Sequence, residues 1–219
     1  MNKVENSKKI ILDLCGGTGS WSKPYKDAGY DVKLITLPEN DVKAYIPPEN
    51  VYGILAAPPC TMFSFARTNA KRPRDLQGGM ELIYKCLNII WRCQYKISSD
   101  NQKYSPLKFW CMENPYYGML TWFLGKPVHV FNPYDYGDAY QKKTSLWGYF
   151  NIPTKTPVEL TDEMKEQAKT NSYLHRIGTK FDMLKTKDIS PENYGKYDRA
   201  TRRAITPQGF AKAFYEANK

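Results

Sequence analysis

The sequence predicts an α/β fold, a three-layer sandwich with a mainly parallel sheet. Residues 9–14 form a short apolar run that leads into a glycine-rich turn. Residues 21–28 have the composition of a helix and end at Gly29, and residues 30–37 form a second apolar run that stops at Pro38. A strand, a glycine turn, a helix and a strand in about 30 residues make a βαβ unit, in which the two strands are parallel.

The later elements continue this alternation. Residues 51–57 predict a strand that ends at Pro58, because proline has no N–H to donate to a sheet. Residues 80–98 have apolar positions at helical spacing, and residues 107–112 form an apolar strand that ends at Glu113. Four shorter elements complete the prediction: strands at 128–132 and 144–148, a helix beginning at Thr161 and a helix at 207–219. We expect a disordered tail at 1–8, a core at 9–148, a separate segment at 149–202 and a closing helix within 203–219.

The charge balance favours a polyanionic partner. The chain has 32 Lys and Arg against 22 Asp and Glu, a net charge of +10 that fits nucleic acid, although a merely basic protein is the alternative. The 5 cysteines are an odd number without framework spacing, and the N-terminus is polar. We therefore expect a reduced, cytoplasmic protein with no disulfides and no membrane segment. With only 2 histidines and no Cys-x-x-Cys, no metal site is expected.

Cys60 is a candidate nucleophile. It follows Pro58 and Pro59 at the predicted carboxyl end of a strand, and ligand sites of open α/β sheets form at that edge. The polar Thr61 and a nearby helix start are neighbourhoods that lower a thiol pKa. The alternative is a buried structural cysteine, since most free cysteines are buried.

Glu113 and Asn114 follow the next predicted strand of the core. A carboxylate directly after Phe-Trp-Cys-Met is out of place in a structural turn. Low-dielectric surroundings raise the pKa of a carboxyl group, which can then hold or donate a proton. The alternative is a helix N-cap or a surface turn.

The glycine-rich turn at 13–20 is a candidate ligand site. Glycines without side chains let a ligand approach the backbone, and free N–H groups at a helix start can meet it. A phosphate or the amino-acid part of S-adenosylmethionine fits such a turn, whereas the alternative is an ordinary tight turn. Residues 136–148 add amide and ammonium donors ahead of a strand, or form a solvated loop.

These motifs, in this order, resemble the DNA (cytosine-5) methyltransferase family over roughly residues 9–148. The family's cofactor turn is similar to Asp13-Leu-Cys-Gly-Gly17-Thr-Gly19-Ser, and its Pro-Cys motif to Pro58-Pro59-Cys60 with Phe63-Ser64 after it. Its Glu-Asn motif is similar to Glu113-Asn114-Pro115, and its glutamine loop to Gln141-Lys-Lys143. Residues 203–217 resemble the closing helix that packs beside the cofactor. The resemblance implies a Rossmann-like fold, S-adenosylmethionine as cofactor and DNA as substrate.

The resemblance also implies roles for individual residues. The catalytic set is Cys60, Glu113, Asn114, Gln141 and Lys143. The cofactor-binding set is Asp13, Leu14, Cys15, Gly16, Gly17, Thr18, Gly19, Trp21, Leu37, Asp41 and Pro58. The nucleic-acid-binding set, in the loop after the nucleophile, is Ser64, Arg67, Lys71, Arg72 and Arg74, for which a solvated polar loop is the alternative. In this mechanism the Cys60 thiolate adds to C6 of an unpaired cytosine, while Glu113 holds the exocyclic amine and protonates N3.

Several positions depart from the family pattern. Lys143 and Ser145 stand where two arginines are usual, Pro115 replaces a valine, and Asp41 comes later than the usual ribose-binding acid. Only residues 149–202 are available for reading a target. We therefore expect low sequence specificity, or specificity supplied by another protein. Alternatives are the same chemistry on RNA, single-stranded DNA or a nucleotide, deamination through the same adduct, and a silent nucleic-acid-binding protein. By family habit, the biological role would be protection of phage or bacterial DNA from restriction.

Overall fold

A mixed six-stranded sheet forms the centre of the molecule. A computed structural model describes residues 3–67, 70–97, 103–159, 162, 179–180 and 195–219. The strands are β1 (Ile10–Leu14), β2 (Asp31–Ile35), β3 (Val51–Ala56), β4 (Lys96–Ile97), β5 (Lys103–Tyr104), β6 (Phe109–Pro115), β7 (His129–Phe131), β8 (Tyr140–Gln141), β9 (Thr144–Tyr149) and β10 (Thr179–Lys180). The helices are α1 (Lys3–Asn6), α2 (Lys23–Asp27), α3 (Leu76–Gln94), α4 (Leu120–Leu124), α5 (Arg199–Ala204) and α6 (Gln208–Ala217), with a 3₁₀ turn at Pro133–Tyr136.

The order of strands in the sheet is β2-β1-β3-β6-β9-β7. The first four strands are parallel, and β9 runs antiparallel to both of its neighbours, β6 and β7. The predicted α/β class is confirmed, and the sheet is compatible with a Rossmann-like fold. Because the parallel strands start at one edge and end at the other, the loops after β1, β2, β3 and β6 share the carboxyl edge.

Alternating side chains of the strands build a core on each face of the sheet. On one face, Leu12, Ile54 and Met112 pack with Ile83 and Ile90 of α3. On the other face, the apolar side chains of the strands pack with α2 and α6; this second cluster includes Ile11, Leu55, Phe109, Cys111, Trp21, Tyr25, Phe210 and Phe214. The sheet is therefore covered by helices on both sides, as its apolar strands require.

Aromatic rings fix α6 to the second face. Phe210 stacks on Phe131 with ring centroids 3.9 Å apart, and Phe214 meets the edge of Trp21 at 5.5 Å. The backbone N–H of Gly209 donates to the Asp138 carboxylate at 2.9 Å, so the start of α6 is anchored as well. The C-terminal helix thus packs back on the core, beside the turn that follows β1.

Several boundaries differ from those expected. The helix after the glycine turn begins at Lys23 instead of residue 21, because a run of turns occupies residues 15–22. Helix α3 begins at Leu76 instead of residue 80, because the Asp75 carboxylate caps it by accepting from the Gly78 N–H at 2.8 Å. It ends at Gln94 instead of residue 98, because Lys96–Ile97 pair with β5 as a strand. Strand β6 continues to Pro115, because β9 pairs with it from Trp110 to Pro115.

The N-terminal residues also differ from the expected disordered tail. Helix α1 occupies Lys3–Asn6, and the buried Asn6 amide donates to the Ala28 carbonyl at 2.9 Å. Most of the 149–202 segment, including the helix expected at Thr161, lies outside the described residues. Within the described residues, every helix is too short or too polar to cross a membrane.

Gly209→Ala tests the docking of α6. A Cβ at this position would overlap the carbonyl oxygen of Tyr136, so alanine must push α6 away from the 3₁₀ turn. We expect the free energy of unfolding to fall by about 1–3 kcal/mol, measured by denaturant titration. Without this close approach alanine would stabilise the helix, since its helix propensity exceeds that of glycine. Lys212→Ala, at an exposed position of α6, is the control and should change stability by less than about 0.5 kcal/mol.

Candidate active site

Parallel pairing of β3 and β6 brings Cys60 and Glu113 to one edge of the sheet. Ala56 is the register partner of Met112, so Glu113 is one residue, and Cys60 four residues, beyond this pair. The two side chains interact electrostatically, because the charge of Glu113 raises the pKa of the Cys60 thiol. As a residue, Cys60 is partly exposed at this edge.

Hydrogen bonds fix the Cys60 loop on the sheet. The Ala57 N–H donates to the Leu14 carbonyl at 2.9 Å, and the buried Asn114 amide donates to the Pro58 carbonyl at 3.0 Å. After the cysteine, the N–H groups of Phe63 and Ser64 both donate to the Cys60 carbonyl at 2.9 Å. Asn114 therefore positions the loop that carries the candidate nucleophile.

The ionisable groups of the site oppose one another. The pKa of the Cys60 thiol is raised, so the lowered value expected from the sequence is wrong: desolvation raises it, the charge of Glu113 raises it further, and the charges of Lys142 and Arg203 only partly oppose this. The expected helix start is also missing beside Cys60, because residues 61–63 form a turn and α3 begins at Leu76. Desolvation likewise raises the pKa of Glu113 and lowers that of Lys142, while the attraction between these two side chains opposes both shifts. The pKa of Glu113 is therefore higher than that of an exposed glutamate, and its carboxyl group stays neutral to a higher pH. When the carboxyl is neutral, its charge no longer opposes the effect of the two cations on the thiol, and only desolvation still does.

Lys142 is, with Arg203, one of two site residues that were not predicted from the sequence. Its ammonium donates to the Ile205 carbonyl at 3.3 Å, which holds it among Cys60, Glu113 and Arg203. Lys143 lies elsewhere: its Nζ is 3.8 Å from the centroid of the Tyr116 ring. Two adjacent lysines carry the same sequence signal, and only the alternation of side chains along the chain decides which one faces Glu113.

Gln141 lies on β8 and directly precedes Lys142; this strand pairs with β10 and not with the main sheet.

A small cavity of about 10 Å³, the size of one water molecule, lies beside Glu113 and Lys142. It is lined by Trp21, Glu113, Phe131, Lys142, Thr144, Thr206, Pro207 and Phe210. The buried Trp21 N–H has no hydrogen-bond partner, so a polar ligand atom or water that reaches it would satisfy it.

The glycine turn is built around a buried carboxylate. Asp13 is fully buried, and one of its oxygens accepts from the Ser22 hydroxyl at 2.5 Å. A Cβ at Gly16 would overlap this carboxyl group, so the close approach of the turn requires glycine there. Burial raises the pKa of Asp13 to about 6, although the Ser22 hydrogen bond opposes this shift. Asp13 therefore holds the turn from its buried side, through the hydrogen bond to Ser22 and the contact with Gly16.

The outer part of the turn is open. Gly17 is exposed at φ 55°, and a Cβ there would meet nothing within 4 Å. Thr18 is exposed beside it, and Gly19 has φ 70°. Cys15, at φ 56°, points its thiol at Cys86 of α3, and this contact lowers the pKa of Cys15. The surface of the turn is thus mostly backbone.

Other predicted cofactor residues divide into two groups. Leu37 and Asp41 follow β2 at the same sheet edge as the turn; both are exposed, and the charge of Asp41 acts on the Cys15 thiol. Leu14 and Trp21 instead belong to the two cores, and Pro58 is buried beneath the Cys60 loop. Leu14 and Pro58 can offer a ligand only their backbone.

The basic residues after Cys60 have two different structural roles. Arg74 donates to the carbonyls of Met62 and Ser64 at 2.8 and 2.9 Å, and Arg67 donates to the carbonyls of Arg72 and Pro73 at 3.1 and 3.3 Å. These two arginines hold the loop. Lys71 and Arg72 extend from it as exposed side chains, in a position to meet a phosphate, whereas Ser64 forms an isolated bridge with Gly118.

Asp13→Asn tests the burial of the carboxylate. The folded protein holds the Asp13 proton up to about pH 6, whereas the unfolded chain releases it near pH 3.8. Stability is therefore lost as pH rises through this window. We expect the unfolding free energy of Asp13→Asn, relative to wild type, to improve by about 2 kcal/mol between pH 4 and 7. Parallel denaturant titrations measure it, with the exposed Asp27→Asn as control; a difference that does not change with pH contradicts the assignment.

Alkylation of Cys60 by iodoacetamide tests the charge arrangement. Glu113→Gln removes the charge that raises the thiol pKa, so the pH at half-maximal alkylation should fall. Lys142→Met removes a charge that lowers it, so the midpoint should rise. Cys60→Ser identifies the reacting thiol by mass spectrometry. Equal midpoints in wild type and both variants would show that the charges of Glu113 and Lys142 do not act on the Cys60 thiol.

In the described part of the chain, no three His, Cys, Asp or Glu side chains gather closely enough to hold a metal ion. All five cysteines are free. No protein-family model matches the sequence, and no curated protein matches it either.

Proposed function

We propose that this protein is an S-adenosylmethionine-dependent methyltransferase that methylates C5 of cytosine in DNA. One observation carries the proposal: a thiol and a carboxyl group with raised pKa values meet at the carboxyl edge of an α/β sheet, beside two cations. The thiol is Cys60 and the carboxyl is Glu113. An open glycine turn lies at the same edge, after β1. A nucleophile, a proton donor and a turn that admits a ligand are the parts that this reaction needs.

The proposal includes the fold. A sheet in the order β2-β1-β3-β6-β9-β7, covered by helices on both faces, supports a Rossmann-like methyltransferase architecture. Residues 149–202, expected to form a reduced target-recognition or clamp segment, lie largely outside the described residues. A cytoplasmic location and a partner protein that supplies target specificity belong to the same proposal.

The residues at the edge fit S-adenosylmethionine. Gly17 leaves open space for the approach of a ligand to the backbone, and the exposed Leu37 offers an apolar face after β2. Asp41, exposed nearby, offers a carboxylate to an amine or hydroxyl group. When bound there, the cofactor supplies the methyl group that C5 of the activated ring takes.

Cys60 and Glu113 divide the work on the base. As the Cys60 thiolate forms a bond to C6, the Glu113 proton passes to N3, so negative charge does not accumulate on the ring. The ring becomes an enamine with a nucleophilic C5. After C5 is methylated, it loses its proton to water, and the electron pair of that bond restores the double bond and expels Cys60 as thiolate. Glu113 then regains the proton from N3.

Lys142 and Arg203 make the required proton distribution accessible. Both cations lower the pKa of Cys60, and the Glu113 charge opposes them. When Glu113 holds a proton, that opposition disappears, so the thiolate and the neutral carboxyl group favour each other. This is the pair that begins the reaction.

Methyl transfer from tritium-labelled S-adenosylmethionine to cytosine-containing DNA tests the proposal. Wild type should form 5-methylcytosine, detected by nucleoside mass spectrometry. Cys60→Ser should lower the rate by about a thousandfold or more, as the loss of a nucleophile does, while the cofactor Kd from calorimetry stays within a few-fold. Cys93→Ala, which removes a thiol on the far part of α3, is the matched control and should keep the rate. Normal turnover by Cys60→Ser would exclude Cys60 as nucleophile.

Glu113→Gln and Lys142→Met should each lower the same rate while cofactor binding is kept. Duplex DNA, single-stranded DNA, RNA and dCMP are assayed side by side. Labelled product on RNA or dCMP alone would replace DNA as the acceptor. Cofactor binding without transfer to any acceptor would exclude the enzyme and leave a nucleic-acid-binding protein on this scaffold.

A further inference from the structure

Aromatic side chains are exposed together at the edge of the candidate site. We define the aromatic patch as Phe65, Tyr116, Tyr117 and Trp122. Phe65 is 48% exposed, Tyr117 62% and Trp122 70%. Phe65 and Trp122 contact each other with ring centroids 5.9 Å apart, as do Tyr116 and Tyr117 at 5.1 Å. Large rings that cluster while remaining exposed mark an interaction surface more than a core.

The backbone fixes the aromatic patch relative to the site. The Phe65 N–H donates to the Tyr117 carbonyl at 3.0 Å, and the Met119 N–H donates to the Phe63 carbonyl at 3.0 Å. Gly118 makes this approach possible, since a Cβ there would lie 3.1 Å from the Phe63 carbonyl oxygen. Phe63 and Phe65 belong to the loop that follows Cys60, and Tyr117 and Met119 to the loop that follows β6, the strand of Glu113. The rings are therefore held beside both groups.

The charges around the aromatic patch are positive. Residues 61–74 and 116–127 contain five Lys and Arg and no Asp or Glu: Arg67, Lys71, Arg72, Arg74 and Lys126. Lys143 adds an ammonium 3.8 Å from the Tyr116 ring centroid and 5.7 Å from that of Tyr117. Exposed rings interleaved with cations match a partner with flat, stackable groups on an anionic backbone.

We propose that the aromatic patch stacks the unpaired bases next to the target cytosine, so that the protein binds single-stranded DNA in preference to duplex DNA. Bases inside a duplex are already stacked and cannot lie on these rings, whereas every unpaired base has a free face. Lys71 and Arg72 would contact the phosphates beside the stacked bases. The inference rests on the proposed function for the identity of the target base, and its binding test is independent of methyl transfer.

The test measures binding of fluorescently labelled 12-nucleotide single strands, matched duplexes and matched RNA by fluorescence anisotropy, using Cys60→Ser without cofactor. We expect single-stranded DNA to bind at least about tenfold more tightly than the duplex. Adding Trp122→Ala should weaken single-strand binding by about 5- to 100-fold, the value of one stacked base. Trp122→Phe should restore most of it, which separates stacking from misfolding.

Two controls separate stacking from charge. Tyr95→Ala removes a ring that is 71% exposed at the other end of α3, roughly 28 Å along the helix from its start, and should leave binding unchanged. Lys71→Ala with Arg72→Ala should reduce the slope of log Kd against log salt by about 0.7 for each phosphate that these side chains neutralise. Trp122→Ala should leave that slope unchanged, because it removes no charge.

The other possible outcomes either overturn the stacking inference or separate it from the proposed methyltransferase function. Equal or tighter duplex binding, or single-strand binding indifferent to Trp122→Ala, overturns the inference even if methyl transfer is observed. Tighter, Trp122-dependent binding of RNA overturns the assignment to DNA. Equal Trp122-dependent binding to anionic phosphatidylglycerol vesicles would assign the aromatic patch to a lipid surface. Trp122-dependent binding of single-stranded DNA without methyl transfer to any acceptor would keep the inference and overturn the proposed function.

Discussion

The parallel pairing of β3 with β6 is the constraint on which the candidate site depends. Two strands that run side by side in the same direction must end at the same edge, and the candidate nucleophile and the candidate proton donor lie at that edge. Cys60 reaches the edge through a proline pair that stops β3, and Glu113 reaches it as a residue of β6 itself. Their proximity needs no long-range search by flexible loops. It follows from the hydrogen-bond register of two buried strands.

Much of this arrangement follows from the sequence. The βαβ unit, the strand ended by Pro58 and the sheet edge shared by Cys60 and Glu113 are visible as apolar runs with breakers between them. The extent of β6 is not visible, because pairing with β9, about thirty residues later in the chain, keeps Glu113 and Asn114 inside the strand. The role of Lys142 is hidden for a similar reason, since its neighbour Lys143 is chemically identical. The position of such a residue depends on strand pairing with partners that are distant in the sequence, so local sequence patterns do not reveal it.

The protonation of the site is set by two opposing effects, desolvation of the ionisable groups and the attraction between Glu113 and Lys142. Around Glu113 the cost of desolvation and the attraction of Lys142 oppose each other, so the carboxyl group remains able to exchange a proton. Asp13 shows the other outcome of burial: its hydrogen bond to Ser22 only partly offsets desolvation, and the residue serves the shape of the turn. Two desolvated carboxyl groups on the same sheet thus serve different purposes, set by whether a cation lies nearby.

The last turn of α5 and the residues that link it to α6 complete the site only after most of the chain has been made. Arg203 and the Ile205 carbonyl act on the site, and the Thr206 N–H donates to the Ser20 hydroxyl at 2.9 Å beside the glycine turn. The glycine turn is translated almost two hundred positions before these last contributions. A growing chain on the ribosome therefore carries Cys60 in an unfinished setting, without its second cation. The arrangement of Cys60, Glu113, Lys142 and Arg203 is therefore complete only after residues 203–206 have been made and have docked beside the glycine turn.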